Sequence, residues 1–133
     1  EEGQIGFQKD SVKVRIIERK FIAAEHKLQY STNSGSRYFY KIDNEKPWGI
    51  DGNQPRRQYN SIEFTFGKRT VFVPIDGLKN LFDPNLGYTE VHYDRKKDIL
   101  YVSALNGDGA GGYVVLLIIE QGQYKTRMVF NGF

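Results

Sequence analysis

The sequence contains no cysteine, and it has only one tryptophan, one methionine and two histidines. The missing thiols exclude disulfides, thiolate nucleophiles, zinc–thiolate sites and iron–sulfur clusters together. The longest apolar run, residues 113–119, is far shorter than the roughly 20 residues that a membrane helix needs. We therefore expect a domain that is stabilised by its core alone and does not span a membrane.

Recognisable catalytic patterns are also scarce. A Ser-His-Asp site would have to use His26 or His92, but the G-x-S-x-G motif of many hydrolases does not occur. A zinc site would need both histidines plus carboxylates at positions the sequence does not indicate. Carboxylate pairs are too numerous for any one pair to stand out. The expectation is a protein that is not an enzyme, with no catalytic residue, cofactor or metal.

The aromatic content points to β structure. Nine tyrosines and nine phenylalanines contribute to an aromatic fraction of 14%, and such residues favour the half-buried surface of a sheet. The 133 residues suffice for one domain and one core, so a single β-rich domain is expected over residues 1–133. The net charge of +3 is small for a nucleic-acid binder.

Alternating apolar and polar residues predict most of the strands. In residues 12–16, valine and isoleucine alternate with lysine and arginine, the period of a half-buried strand. Residues 113–120, which are apolar without interruption up to residue 119, predict a central strand buried on both faces. Residues 1–10 fit a frayed end or a short edge strand, and residues 22–30 fit either a bent strand or a helical turn. Further strands are expected at residues 37–42, 61–66, 70–74, 88–93, 99–105 and 124–130, and loops at 31–36 and 43–57.

One short helix is predicted near residues 76–82. Asp76 suits an N-cap, Leu78, Leu81 and Phe82 share a helical face, and Pro84 follows. With about seven strands joined by short turns, the expected fold is mainly β: an antiparallel meander curled into a sandwich or open barrel.

The loop from Asn106 to Gly112 is the most unusual stretch, with four glycines around Asp108. It satisfies G-x-G-x-x-G, but a strand-like run follows where a dinucleotide site needs a helix N-terminus. A single acid is too few for calcium. Two interpretations stay open: a wide hairpin connection with glycines at positive φ, or a backbone that a partner must approach closely.

Aromatic and basic residues interleave at residues 37–41, and again between Trp48 and Tyr59. Binders of single-stranded nucleic acid stack bases on such aromatics, but an ordinary aromatic strand has the same composition. No RNA-recognition signature is present, so we expect no nucleic-acid partner.

A further group of short segments resembles small exported bacterial β-proteins. The matching segments are Phe66-Gly67-Lys68, Val73-Pro74, Leu81-Phe82-Asp83-Pro84, Gly107-Asp108-Gly109-Ala110-Gly111-Gly112-Tyr113 and Gly122-Gln123-Tyr124 with Arg127. More loosely, the chain resembles the immunity proteins that protect bacteria from type VI-secreted cell-wall amidases. That resemblance implies a periplasmic protein that is not an enzyme and that blocks a toxin's catalytic cleft. The start at Glu1 without methionine is what a mature exported protein would show after removal of its signal peptide.

The predicted contact surface combines the glycine loop with two aromatic residues. Its members are Asn106, Gly107, Asp108, Gly109, Ala110, Gly111, Gly112, Tyr113, Trp48 and Tyr38. The loop is narrow enough to enter a cleft, and aromatic side chains dominate the energetics of many interfaces. The alternative is a protein that binds a small molecule or an envelope component at the mouth of the curled sheet. The sequence leaves open whether the chain is a monomer or a homodimer.

Overall fold

In a computed structural model, which describes residues 3–33, 35–107 and 109–132, the chain is built mainly from antiparallel strands. The strands are β1 (Gly3–Lys9), β2 (Val12–Lys20), β3 (Leu28–Asn33), β4 (Ser36–Ile42), β5 (Arg57–Phe66), β6 (Arg69–Phe72), β7 (Thr89–Asp94), β8 (Ile99–Asn106), β9 (Tyr113–Glu120) and β10 (Gln123–Asn131). One α-helical turn, α1 (Ile75–Leu78), and 3-10 turns at Ala23–Glu25, Leu86–Tyr88 and Gly109–Gly111 connect them.

The strands form two four-stranded sheets and one hairpin. The first sheet has the order β1-β2-β5-β6 and the second the order β10-β9-β8-β7, while β3 and β4 pair with each other. Within the second sheet, every strand pairs with its neighbour in sequence, as short antiparallel connections favour. In the first sheet, the β3–β4 hairpin is inserted between β2 and β5.

A single apolar cluster lies between the two sheets. Alternate residues of β2 and β5 meet alternate residues of β8 and β9, which are the central strands of each sheet. The most completely buried members are Ile16, Phe64, Leu100, Tyr113 and Ile119, each 0% exposed. The predicted mainly β, antiparallel fold is confirmed, and its form is a sandwich.

The prediction of a loop at residues 31–36 is wrong, because β3 and β4 occupy most of this segment. Ser31 and Thr32 pair with Tyr38 and Arg37 across the hairpin. Small polar residues are common in loops, but here the cross-strand backbone hydrogen bonds outweigh that preference. Residues 22–30 contain both predicted alternatives, since the 3-10 turn Ala23–Glu25 leads directly into β3.

The helix expected near residues 76–82 is shorter and begins earlier than predicted. It spans Ile75–Leu78 with Pro74 at its N-cap, so Asp76 lies in the first turn and is not the cap. Leu81 and Phe82 instead form β-bridges with Trp48 and Gln58. Tertiary pairing therefore overrides the helical spacing of these two apolar residues.

The run at residues 113–120 is a central strand, but it is not buried on both faces. β9 pairs with β8 and β10, and its burial alternates strictly from residue to residue. Val115, Leu117 and Ile119 face the core. Val114, Leu116 and Ile118 lie on the outer face and are only half-buried. The outer side of the second sheet is thus far more apolar than a solvated sheet face usually is.

Among the described residues, no helix combines the length and the apolar character needed to cross a membrane.

The alternation along β9 gives a stability prediction. Leu117→Ala should lower the free energy of unfolding by about 2 to 5 kcal/mol, because it leaves a cavity between the sheets. Leu116→Ala removes the same atoms from the neighbouring, outward-facing position and should cost clearly less. Urea denaturation at protein concentrations at which light scattering shows a monomer compares the two, and equal losses would contradict the burial pattern.

Candidate functional site

Asn106 anchors the start of the glycine loop inside the protein. It ends β8 and is 1% exposed. Its Oδ1 accepts a hydrogen bond from the Asn85 backbone N–H at 2.7 Å. Its Nδ2 donates to the hydroxyls of Tyr59, at 2.7 Å, and Tyr113, at 3.3 Å. The buried amide therefore uses both of its ends, as a polar group removed from water must.

The two tyrosines extend this network across the sandwich. Tyr59 belongs to β5 of the first sheet and Tyr113 to β9 of the second. The Tyr113 hydroxyl donates to the Phe82 carbonyl oxygen at 2.9 Å. Burial raises the pKa of both phenols well above the ordinary value of 10.0. Both hydroxyls therefore keep their protons at physiological pH, and Tyr113 remains a hydrogen-bond donor.

The glycines of the loop permit a close contact with another backbone segment of the same chain. A Cβ atom on Gly107 would lie 2.5 Å from the Gly111 carbonyl oxygen and 3.1 Å from the Gly49 Cα. A Cβ atom on Gly111 would lie 2.9 Å from the carbonyl carbon of Ile50. The Gly107 N–H also donates to the Asp83 carbonyl oxygen at 2.9 Å. The close backbone approach expected for a partner is thus made by residues 49–50 of the protein itself.

These contacts change the assignment of the predicted loop residues. Asn106, Gly111 and Tyr113 are buried, and Gly107 and Gly112 are half-buried. The side chains of Asn106 and Tyr113 serve the interior network and do not face a partner. Asp108 lies outside the described residues. Of the loop residues that the structure describes, Gly109 and Ala110 are exposed, and both belong to a 3-10 turn.

Trp48 is half-buried, with its ring centroid 6.0 Å from that of Tyr113. The backbone N–H of Trp48 donates to the Asn80 carbonyl oxygen, and the Trp48 backbone carbonyl accepts from the Phe82 N–H, both at 2.9 Å. Lys46 Nζ lies 5.3 Å from the centroid of the indole. The structure therefore places Trp48 mainly as a packing residue beside the interior network.

Tyr38 is the most exposed of the predicted aromatic residues, at 51%. It lies on β4, and a Cβ atom on Gly52 would come within 2.3 Å of its ring, so the ring lies directly over that glycine. The neighbouring Phe39 N–H donates to the Gly52 carbonyl oxygen at 2.9 Å. Tyr30 and Tyr40 are also exposed on this hairpin.

Residues 49–52 contact both the β3–β4 hairpin and the glycine loop. Gly111 packs on Ile50, and Tyr38 packs on Gly52, only two residues further along. Two residues of chain span at most about 7 Å. The segment 50–52 therefore links the glycine beneath Tyr38 to the residue that contacts Gly111 over about 7 Å of backbone, and Asp51 between them is exposed. We call Tyr38, residues 50–52, Gly109 and Ala110 the contact patch.

A second cluster surrounds His26 and carries no sequence signal, because its members lie far apart in the chain. His26 Nδ1 lies 2.7 Å from Asp43 Oδ2, and Nε2 lies 2.9 Å from Gln58 Oε1. Phe21 stacks on the imidazole at 4.6 Å between ring centroids. In a hydrolytic triad, Nε2 would face a nucleophile. Here it faces an amide oxygen, and the cluster joins the hairpin to β5.

The Asp43 carboxylate is held in its charged form. Partial burial raises its pKa, but hydrogen bonds from His26 and from the Lys27 N–H, together with attraction to the imidazole, outweigh that effect. The net result is a pKa below the ordinary 3.8.

A pocket of about 320 Å³ opens beside this cluster. It is lined by Arg19, His26, Asp43, Asn80 and Phe82, among others. Asn80 is 6% exposed and donates to the Glu45 carboxylate at 2.7 Å, whereas its Oδ1 has no partner among the described residues. A polar ligand of modest size is the kind of molecule this pocket could hold.

The other histidine lies elsewhere. His92 is exposed on β7, and its ring is 6.2 Å from that of Tyr101 on β8. Within residues 3–33, 35–107 and 109–132, no three His, Asp or Glu side chains are grouped closely enough to hold a metal ion.

No protein-family model, no curated protein and no solved structure matches this chain. Its function is therefore inferred from its own residues and geometry.

The contact between the glycine loop and residues 49–50 can be tested by adding one methyl group. Gly107 has a φ of +78°. An alanine in its place would have to adopt the same left-handed conformation, which costs about 1 to 2 kcal/mol. The overlap with Gly111 and Gly49 should add about 1 to 3 kcal/mol. Gly67 has a similar φ of +62° but open space around it. Gly107→Ala should therefore destabilise the protein more than Gly67→Ala in chemical denaturation, and an equal loss would disprove the close contact.

The charge of Asp43 predicts a pH-dependent contribution to stability. Because its pKa is lowered in the folded protein, this contribution is present above about pH 3.8 and disappears as the pH falls through the folded pKa. Wild type should unfold at a higher temperature than Asp43→Asn near neutral pH, and the difference should shrink under acid conditions. Asp51→Asn, at an exposed loop position, is the charge-matched control and should show little difference at either pH.

Proposed function

We propose that this chain is a non-catalytic binding protein of the bacterial periplasm that inhibits a secreted cell-wall amidase by blocking its active site. The observation that supports the proposal is the contact patch. The patch consists of Tyr38, exposed and packed over Gly52, of the exposed Asp51, and of Gly109 and Ala110, the exposed residues of the loop that contacts Ile50. Tyr38, Gly109 and Ala110 are among the residues that the sequence predicted to face a partner.

The patch is well suited to binding because its described residues are attached to the rest of the protein by several contacts. The loop tip is held at both ends, by the Asn106 side chain and by the contact of Gly111 with Ile50. Tyr38 lies on a paired strand, and the His26 cluster ties its hairpin to the first sheet. A surface that is ordered before binding loses less conformational entropy when a complex forms.

The chemistry of the patch fits insertion at the edge of a catalytic cleft. Tyrosine offers a large apolar ring with a polar end at small entropic cost and is enriched among the residues that dominate binding. Gly109 and Ala110 have almost no side chain, so the tip is thin. The exposed Asp51 carboxylate beside them could accept hydrogen bonds from the polar groups of an active site.

The alternative, a small molecule held at the mouth of the sandwich, is less well supported. Side chains from both sheets pack together in the space between them. The pocket beside His26 is the place where such a ligand would fit.

The decisive experiment uses this protein as bait in an extract of its source bacterium. A captured hydrolase is then assayed for the release of fragments from purified peptidoglycan sacculi, with and without this protein. We expect capture at near-equal stoichiometry and loss of the hydrolase activity. Capture of a hydrolase that remains fully active, or capture of none while native mass spectrometry reveals a bound small molecule, would overturn the inhibitor proposal.

Single substitutions then locate the contact. Tyr38→Ala should weaken the complex at least about tenfold, which corresponds to about 1.4 kcal/mol, because it removes an exposed anchor of the patch. Phe72→Ala, a similarly exposed aromatic at 57% on the edge strand β6, should leave the affinity unchanged. Isothermal titration calorimetry with the captured hydrolase measures both. Equal affinities of Tyr38→Ala and wild type would remove Tyr38 from the interface.

A further inference from the structure

The outer face of the second sheet is an apolar surface with nothing packed on it in the described chain. Its three central rows follow from the strand register. Reading from β10 to β7, the rows are Phe130-Val114-Leu105 followed by Tyr88, then Met128-Leu116-Ser103-Glu90, and then Thr126-Ile118-Tyr101-His92.

The large side chains of this face are strongly exposed. Tyr88 is 67% exposed, Phe130 48%, Met128 44% and Leu105 41%. Continuous apolar patches of this kind are uncommon on monomers and mark interaction surfaces. The face of an antiparallel sheet that meets water normally carries mostly polar residues.

We propose that a second copy of this chain covers the face, so that two second sheets pack face to face in a two-fold symmetric dimer. This inference is independent of the proposed inhibitor function. It uses a different set of residues, and no partner other than the chain itself is needed.

The size of the face fits a dimer. Four strands of six to nine residues present a surface of about 20 Å by 25 Å at the usual spacing and rise of strands. Protruding side chains give such a face more accessible surface than its plan area. A copy laid across the whole face would bury an area of the same order as the roughly 800 Å² per partner of a standard interface.

The pattern of residues is self-complementary about a two-fold axis parallel to the strands. Such an axis places β10 of one copy over β7 of the other and keeps each row opposite itself, in reverse order. Phe130 then faces Tyr88, and Val114 faces Leu105. Glu90, the carboxylate of these rows, lies on the edge strand β7, so its charge stays at the rim of the interface, in contact with water, and no like charge opposes it.

The shape of the first row also matches. A groove of about 320 Å³ is lined by Tyr88, Thr89, Ser103, Leu105 and Val114. Phe130 protrudes at the other end of the same row. A cavity of about 150 Å³ holds a benzene molecule, so the groove admits the phenyl ring of the second copy. By symmetry, two such insertions form, one at each end of the row.

Sedimentation and light scattering of the purified chain test the proposal. The expected particle has twice the 15.4 kDa chain mass at micromolar concentration. Leu116→Lys, which places a charge at the centre of the face, should raise the dissociation constant at least about a hundredfold. Phe72→Lys, on β6 of the other sheet, should leave the dimer intact. The circular dichroism of each variant verifies that it is folded.

The absence of native cysteine permits a clean crosslinking test of the geometry. A mixture of the single variants Tyr88→Cys and Phe130→Cys should be joined between chains by a short bis-maleimide crosslinker, which spans the roughly 10 Å between two packed sheets. Each single variant alone should not, because the axis separates identical residues across the sheet. A monomer at all concentrations up to about 100 µM, far above typical affinities of specific complexes, would overturn the dimer. So would a folded Leu116→Lys variant that stays dimeric, or single variants that crosslink as well as the mixture.

The two proposals fail separately, since the dimer is measured without a hydrolase. If the chain is a monomer and Leu116→Lys instead abolishes binding of the captured hydrolase, the face belongs to that partner and the dimer proposal is wrong.

Discussion

The structure depends on a polar network buried in an otherwise apolar sandwich. Asn106 links the first sheet, through Tyr59, to the second, through Tyr113, and it also holds the Asn85 backbone. Leaving one such buried group without a partner costs about 1 to 3 kcal/mol. The network therefore requires one arrangement of the two sheets and of the loop that begins at Asn106. An apolar contact at this place has no fixed direction and would permit several arrangements of the two sheets.

The position of the contact patch follows from that arrangement. Because the glycine loop is held from inside, it packs on residues 49–50, and the same segment carries Gly52 beneath Tyr38. The His26 cluster adds a second attachment between the hairpin and β5. Interior hydrogen bonds thus order an exterior patch, which is how a rigid scaffold presents loops for recognition.

The second sheet has two apolar sides with different roles. Its inner side forms the core with the first sheet, and its outer side exposes large apolar residues such as Phe130 and Met128. The apolar run of β9 reflects both sides, since alternate residues serve each. Burial against a second copy would explain why β9 is apolar from Tyr113 to Ile119 although its outer face is only half-buried in the single chain. The contact patch and the outer face are thus the two separate surfaces that we propose for association.

The amino-acid pattern alone was enough to predict the fold class and most strands, because alternation and turn residues act locally. β9 was predicted with its observed bounds, and the alternation of Val12, Val14 and Ile16 appears in β2. The pattern could not predict the role of the glycine loop, the shorter helix or the His26 cluster. The members of these contacts are far apart in the chain, and only the tertiary packing brings them together. Gly107 meets Gly49 in this way. His26 likewise meets Asp43 and Gln58. Local propensity determined which segments are strands, whereas long-range packing and buried hydrogen bonds decided which residues are inside and which are exposed.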